Sequence, residues 1–256
     1  MPKKNTLLLS LVVICLLVYS GYVFISLMRH PKEVIVVKEI SQELPPENIL
    51  AKHIGEKIIY TVKLGNVSMG KAVFRHLPMA QLEGKPVYLM TLETRLFKFY
   101  DLERIYSDPQ SFLPIRIERQ ISNWPLSERI TESYDQRAFT LVISKNEGKN
   151  IPKQLIQKDR PIHNSVIFPF YLRTLDNPET GWSMTANLPT QKFEIKFDGI
   201  EKISLPAGDF KAYHFRSSPD KFEVWISADE KRIPLRIKSS GALGYTLVFK
   251  EYSMEK

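Results

Sequence analysis

The chain has 256 residues, 43% of them hydrophobic and 25% charged, and a net charge of +8, a balance that excludes a disordered, collagen-like or low-complexity protein. Its basic residues are interleaved with Asp and Glu, with no run of five or six and no zinc-finger or RNP motif, so no nucleic-acid partner is expected. The single Cys, Cys15, excludes a disulfide framework and a Cys-based metal site.

The first element is the uncharged apolar run Thr6 to Met28, which at ~1.5 Å per residue is long enough to cross a hydrocarbon core of ~30 Å. We expect residues 1–28 to form an N-terminal membrane anchor. A cleaved signal peptide would use the site Val18-Tyr19-Ser20, but the apolar stretch continues past it, beyond the usual ~7–15 residues. Val13 and Ile14 before Cys15 do not make a lipidation site. Lys3 and Lys4 on one flank face Arg29, Lys32 and Lys38 on the other, so charge barely biases the orientation. The length of the remaining chain favours amino terminus in, domain out. Residues 29–54, broken by Pro45-Pro46, are expected to be an extended juxtamembrane linker.

From Gly55 the pattern changes to period two. Ile58, Tyr60, Val62 and Leu64 share one face, with Lys57, Thr61 and Lys63 on the other, as in a half-buried strand. Similar runs follow at Val67 to Phe74, Val87 to Phe97, Asp101 to Tyr106, Leu113 to Ile121, Glu128 to Tyr134 and Phe139 to Ile143. They resume at Phe193 to Phe197, Gly199 to Leu205, Phe210 to Phe215, Phe222 to Ile226, Ile233 to Ser239 and Tyr245 to Tyr252. About a dozen antiparallel strands are implied, in one domain over 55–256. Between the two groups, about 151–177, a helical insert is expected. His163 to Leu175 is apolar and helix-sized, and Pro169 within it predicts a kink or two short helices. Such an insert packs as core or lies as a lid across a curved sheet.

An internal repeat links the two strand groups. SDPQSFLPIRIE (107–118) and SADEKRIPLRIK (227–238) share Ser, Pro, Arg and Ile at an offset of 120 residues. Each reads as strand, polar turn, then a strand opened by Pro, where no ladder donor is lost. The alternation puts Arg116 and Arg236 opposite the apolar face, as solvated arginines or as anion contacts, since the guanidinium fork fits carboxylate and phosphate.

No catalytic constellation emerges. His30, His53, His76, His163 and His214 are isolated from one another, without metal-ligand spacing, so neither a metal site nor another cofactor is expected. The stretch Gly65 to Gly70 resembles a nucleophile elbow but lacks a Gly two residues before Ser68, and reads as a β-turn. Asp101 and Glu103 share a strand face and suit acid–base work, yet Arg95, Lys98 and Arg104 nearby make a salt-bridged sheet surface the expectation. Aromatic residues, 11% of the chain, fall largely on strands. Phe74, Phe139, Phe168, Phe170, Phe215 and Phe222 are candidates for lining an apolar groove, since ligand pockets are mostly apolar with few polar anchors.

The segments GEKIIYTVKLGNVSMGKAVF, LPIRIER, FPFYLRTL, ISLPAGDFKAYHF, FEVWISADEKRIPLRIK and GALGYTLVF resemble bacterial domain-of-unknown-function family 3108, over roughly Gly55 to Tyr252. The most specific pieces are Pro206-Ala207-Gly208 with Phe210, and the strand with its Asp229 turn and Arg232-Ile233-Pro234. The resemblance implies a Gram-negative envelope protein of distantly lipoprotein-carrier-like fold, a strongly curved antiparallel half-barrel around a short helical insert. It implies an inner-membrane protein with its C-terminal domain in the periplasm, and a hydrophobic groove. It brings no catalytic residues. The expected function is non-catalytic binding of a lipid or other apolar envelope component in transport or assembly. The alternative is a scaffolding module that binds another envelope protein.

Overall fold

The computed structural model describes residues 51–123, 125–146, 153–240 and 244–255, most of the compact unit Gln42–Lys256. The expected anchor, with its linker as far as residue 50, lies outside the described residues. Among those described, no helix is long and apolar enough to cross a membrane.

After a short 3-10 turn at Ala51–His53 the described residues run through fourteen strands: β1 (Glu56–Leu64), β2 (Val67–Leu82), β3 (Lys85–Leu96), β4 (Phe99–Ser107), β5 (Pro114–Asn123), β6 (Leu126–Asp135), β7 (Thr140–Asn146), β8 (Lys153–Gln157), β9 (Ser183–Asn187), β10 (Lys192–Leu205), β11 (Gly208–Ser218), β12 (Phe222–Ser227), β13 (Pro234–Ser239) and β14 (Tyr245–Met254). One short helix, α1 (Phe168–Leu172), lies between β8 and β9. The strands form a single antiparallel sheet in the order β8-β7-β6-β5-β4-β3-β2-β1-β14-β13-β12-β11-β10-β9. The molecule is thus mainly β, as its alternation predicts.

The period-two reading of β1 holds residue by residue: Glu56, Ile58, Tyr60 and Val62 are buried and the residues between them half-buried. Differences lie at the margins. The runs at 193–197 and 199–205 are one strand, β10, irregular where Gly199 takes φ +127°. The expected helical insert begins instead with strand β8 and is followed by β9, two short strands without a strong apolar alternation. Pro169 neither kinks a helix nor splits one; it sits in the first turn of α1, where its missing N–H is no loss. Phe139, expected to open a strand, lies in the β6–β7 turn at φ +53°, and β7 starts one residue later.

The 120-residue repeat is a duplication of architecture. β1 to β6 and β9 to β14 are each a six-stranded meander, and the last strand of the second copy pairs with the first strand of the first. In both copies the repeat forms the fourth hairpin, with Pro114 and Pro234 as the first residues of β5 and β13. Phe112 and Arg232, 120 residues apart, both take positive φ, +58° and +50°, uncommon away from glycine. Asp108 and Asp229 each accept backbone N–H groups two and three residues onward, at 2.8–3.2 Å. The same turn chemistry therefore closes both hairpins.

The sheet curls until its edges approach each other. Residues Arg160 to His163 form a strap between them. On one side Gln136, in the β6–β7 turn, exchanges two hydrogen bonds with the Ile162 backbone, both 2.9 Å. On the other, the Asn187 side chain of edge strand β9 donates to the carbonyls of Arg160 and Pro161, each at 3.1 Å, while the His163 N–H donates to the Asn187 carbonyl at 2.8 Å. The strap thus links the two sides of the sheet with hydrogen bonds that a further strand would otherwise supply.

Candidate functional site

The interior has a packed end and an open end. At the packed end, α1 enters as a plug. The Phe170 ring stacks on Phe74 of β2 with centroids 3.6 Å apart and planes 11° from parallel. Phe168 meets Phe222 edge-on at 6.1 Å, and His163 meets Phe168 at 5.7 Å. The void between plug and β4–β5 hairpin, lined by Phe112, Leu113, Pro114, Ile167, Phe168 and Tyr171, is about 10 Å³, room for about one water.

Arg173, just past the plug, pins it to the barrel. Its guanidinium donates twice to the Glu56 carboxylate, lies 3.1 Å from His53 Nδ1 and donates to the Lys231 carbonyl at 2.6 Å. The pair is almost dry, with side-chain exposures of 1% and 0%. Burial raises the Glu56 carboxyl, and Arg173 opposes it. Burial, then the Arg173 charge, holds His53 down to about 2 and His76 to about 4. Around this pair the His53 and His76 Nε2 atoms, the Tyr60 hydroxyl and Arg173 Nε have no hydrogen-bond partner among the described residues, although all are buried. Groups of this kind are usually met by ordered water.

At the open end the inward face turns polar. Arg119 of β5 holds Asp101 of β4 through two bonds of 2.9 and 3.0 Å from Nε, and lies 3.8 Å from Glu103. On β6 the Tyr134 hydroxyl donates to Glu132. Burial pushes Glu103 up to about 7, against Arg119 and with help from Asp101 and Glu132; burial also raises Glu132. From across the barrel Tyr245 of β14 brings its hydroxyl within electrostatic reach of Glu103 and Arg119, although β14 and β4 are four strand positions apart. In a flat sheet that is ~19 Å, at ~4.8 Å per strand. The region is only partly closed: Arg119 is 36% exposed on its side chain and Tyr245 47% overall, while Asp101 is buried. Carboxylates outnumber the guanidinium, so the mouth favours cationic or hydrogen-bond-donating groups.

The structure distributes the sequence candidates. Phe74, Phe168, Phe170 and Phe222 gather around the plug; Phe215 packs with Phe197 and Trp182; Phe139 stands apart in its turn. Arg116 and Arg236 lie on the outward face of their hairpins. Arg116 pairs with Glu83 at 2.9 Å and Arg236 lies over the Trp225 ring at 5.2 Å. Asp101 and Glu103 share a face as expected, but that face is the interior, and their partner is Arg119 instead of Arg95, Lys98 or Arg104. The histidines are not all isolated: His53 and His76 share the Arg173 network, and His214 stacks on Trp225 at 4.4 Å. His30 lies outside the described residues.

Sequence reasoning passed over Arg119, Glu132, Tyr134, Glu56 and Arg173. A signal was there. Arg119 shares parity with Ile117 and Ile121, Glu132 with Ile130 and Tyr134, and Arg173 interrupts the apolar run FPFYLRTL. A charge on an apolar face marks a partnered interior site.

The family model described as "Protein of unknown function (DUF3108)" matches residues 59–250, and the chain belongs to that family. No curated protein matches the sequence. Among solved structures, a β-barrel-like protein of domain of unknown function DUF1849 from Brucella abortus aligns at 6% identity and a TM-score of 0.48, over 79% of this chain and 98% of that one. A "putative lipoprotein" from Parabacteroides distasonis aligns at 10% identity and a TM-score of 0.27, over 78% and 95%. Neither superposes closely enough to carry an argument.

Proposed function

We propose that this member of the family is a non-catalytic binding module of the bacterial envelope, anchored in the inner membrane through residues 6–28 with its β domain in the periplasm. Its ligand is an amphiphile, a lipid or other apolar envelope component with a polar head. One observation carries the reading: a single concave interior joins an aromatic, plug-filled end to a half-exposed mouth where Arg119, Asp101, Glu103, Glu132 and Tyr245 converge. Burying carboxylates costs free energy that an apolar filling would avoid. Charges kept on a half-exposed inward face beside apolar walls match the makeup of ligand sites. The apolar part of the ligand would lie along inward residues such as Val62, Leu92 and Leu247, with its head against the carboxylates.

Native mass spectrometry of protein extracted in mild detergent tests this. The expected result is one co-purifying amphiphile per chain, depleted in Arg119→Ala and Tyr245→Glu. If neither extracted lipids nor added acyl amphiphiles bind the wild-type chain, the reading fails. A scaffolding role has one observation in its favour: β8 ends the sheet, and its Leu155 is 68% exposed, a place where a partner could add a strand.

A further inference from the structure

The two ends of the barrel differ in what their turns expose. At the end nearest the mouth, three hairpin tips follow one another along the sheet: β5–β6, β3–β4 and β1–β2. The registers align them, with Leu64 opposite Val67, Gly70 opposite Leu96, Phe99 opposite Asn123, and Asn123 opposite Leu126. Each tip carries one large apolar residue in water: Leu126 is 69% exposed, Phe97 81% and Val67 62%. At the other end the turns carry Glu83-Gly84, Asp108 to Ser111, Gln136 to Ala138 and Asp229 to Lys231; among the described residues, none of these turns has a large exposed apolar side chain.

The exposed charge at the three tips is of one sign. Among the described exposed residues of the three tips, the charged ones are Arg95, Lys98 and Arg129, and all are basic. Arg95 is engaged with Glu93, while Lys98 lies 5.8 Å over the Phe97 ring. Apolar side chains at turn tips gain nothing from water. Flanked by cations, they suit the boundary between headgroups and acyl chains, where apolar insertion and attraction to anionic lipid add.

We propose that this rim, Val67, Phe97 and Leu126 with Lys98 and Arg129, docks on the surface of an anionic lipid bilayer. The mouth lies at the same end: Asp101 is two residues from Phe99, and Tyr245 opens β14. Docking would therefore bring the mouth close to lipid headgroups. The proposal does not require that the interior hold a ligand.

The test uses the full chain, with Cys15→Ser as background, reconstituted in vesicles of phosphatidylcholine and phosphatidylglycerol that contain an acyl-chain quencher. An environment-sensitive fluorophore is placed at Phe97→Cys, or at Gln110→Cys on the opposite end. Quencher-bearing vesicles of the same composition are then added, so that contact with either the host bilayer or a second one is read. Docking predicts a blue shift and quenching of the label at 97 but not at 110. Lys98→Gln with Arg129→Gln should weaken the contact about thirtyfold at low salt, at about 1 kcal/mol per basic residue. A label at 97 that stays in water in both settings, or quenching that is equal at 97 and 110, overturns the proposal, as does protection of 97 by protein alone. Amphiphile retention measured by mass spectrometry is a separate readout, so either idea can fail without the other.

Discussion

Replacing Arg173 with Met removes the guanidinium that links the plug to β1 and to the β12–β13 hairpin. Glu56, with a side chain 0% exposed, then loses its counter-charge and two hydrogen bonds, and the Lys231 carbonyl loses a donor. Breaking a buried pair from one side costs about 3–5 kcal/mol, because the partner charge stays buried and unpaired. For a domain of this size that lowers the melting temperature by about 10 °C. Adding Glu56→Leu removes the orphaned charge, and the double variant should recover most of the loss, since apolar replacements of a whole pair are often near neutral. Thermal unfolding of wild type, both single variants and the double variant at pH 7, followed by circular dichroism, gives the coupling energy directly. If the single costs simply add in the double variant, or if Arg173→Met costs under about 1 kcal/mol, the ion pair does not hold the plug and this account of the interior is wrong.

Glu103, pushed up to about 7 from 4.5, keeps its proton between those pH values while the unfolded chain has released it, so its contribution to stability falls as pH rises through that window. Glu103→Gln should remove this slope and stabilise the protein at pH 8 by at most about 3 kcal/mol, measured by urea unfolding at several pH values; an unchanged slope would refute it. The histidines act in the opposite direction: His53, His76 and His163 have depressed values, so the unfolded chain takes up protons first as pH drops below 6.5, and stability falls toward acid. Gly70→Ala should cost about 1–3 kcal/mol in the same unfolding assay, because its Cβ would stand 2.1 Å from the Arg95 carbonyl oxygen, a backbone atom that cannot swing away; a neutral effect would count against the close β2–β3 approach.

The strand content was legible because burial on one face imposes alternation, and Ile58-Tyr60-Val62 shows it plainly. The paired hairpins were legible too, since a polar turn followed by Pro at a strand start is a local rule. β8 and β9 were missed for the converse reason: KQLIQ and SMTAN pair at the sheet's edges, where few side chains are buried and the pattern is faint. The Arg119 cluster demanded more than periodicity. Parity alone placed Asp101 and Glu103 together, but which face was concave, and that Tyr245 stands across from them, depends on the curl of the whole sheet and on the strap that links its edges. Those are long-range properties, which no window of a dozen residues contains.

The pairing of β1 with β14 also governs how the molecule is made. Glu56 meets Met254, so the first described strand of the sheet waits for the fourteenth. At about 5–20 residues per second that wait is roughly 10 to 40 s. Meanwhile each meander is a separate half with a raw hydrogen-bonding edge, and the seam between them closes only when β14 arrives. Contacts this distant in sequence form slowly, and exposed edges invite pairing with other chains. A protein built in this way is most vulnerable just before β14 is made, and loss of that strand would leave two open half-sheets instead of a slightly shortened barrel.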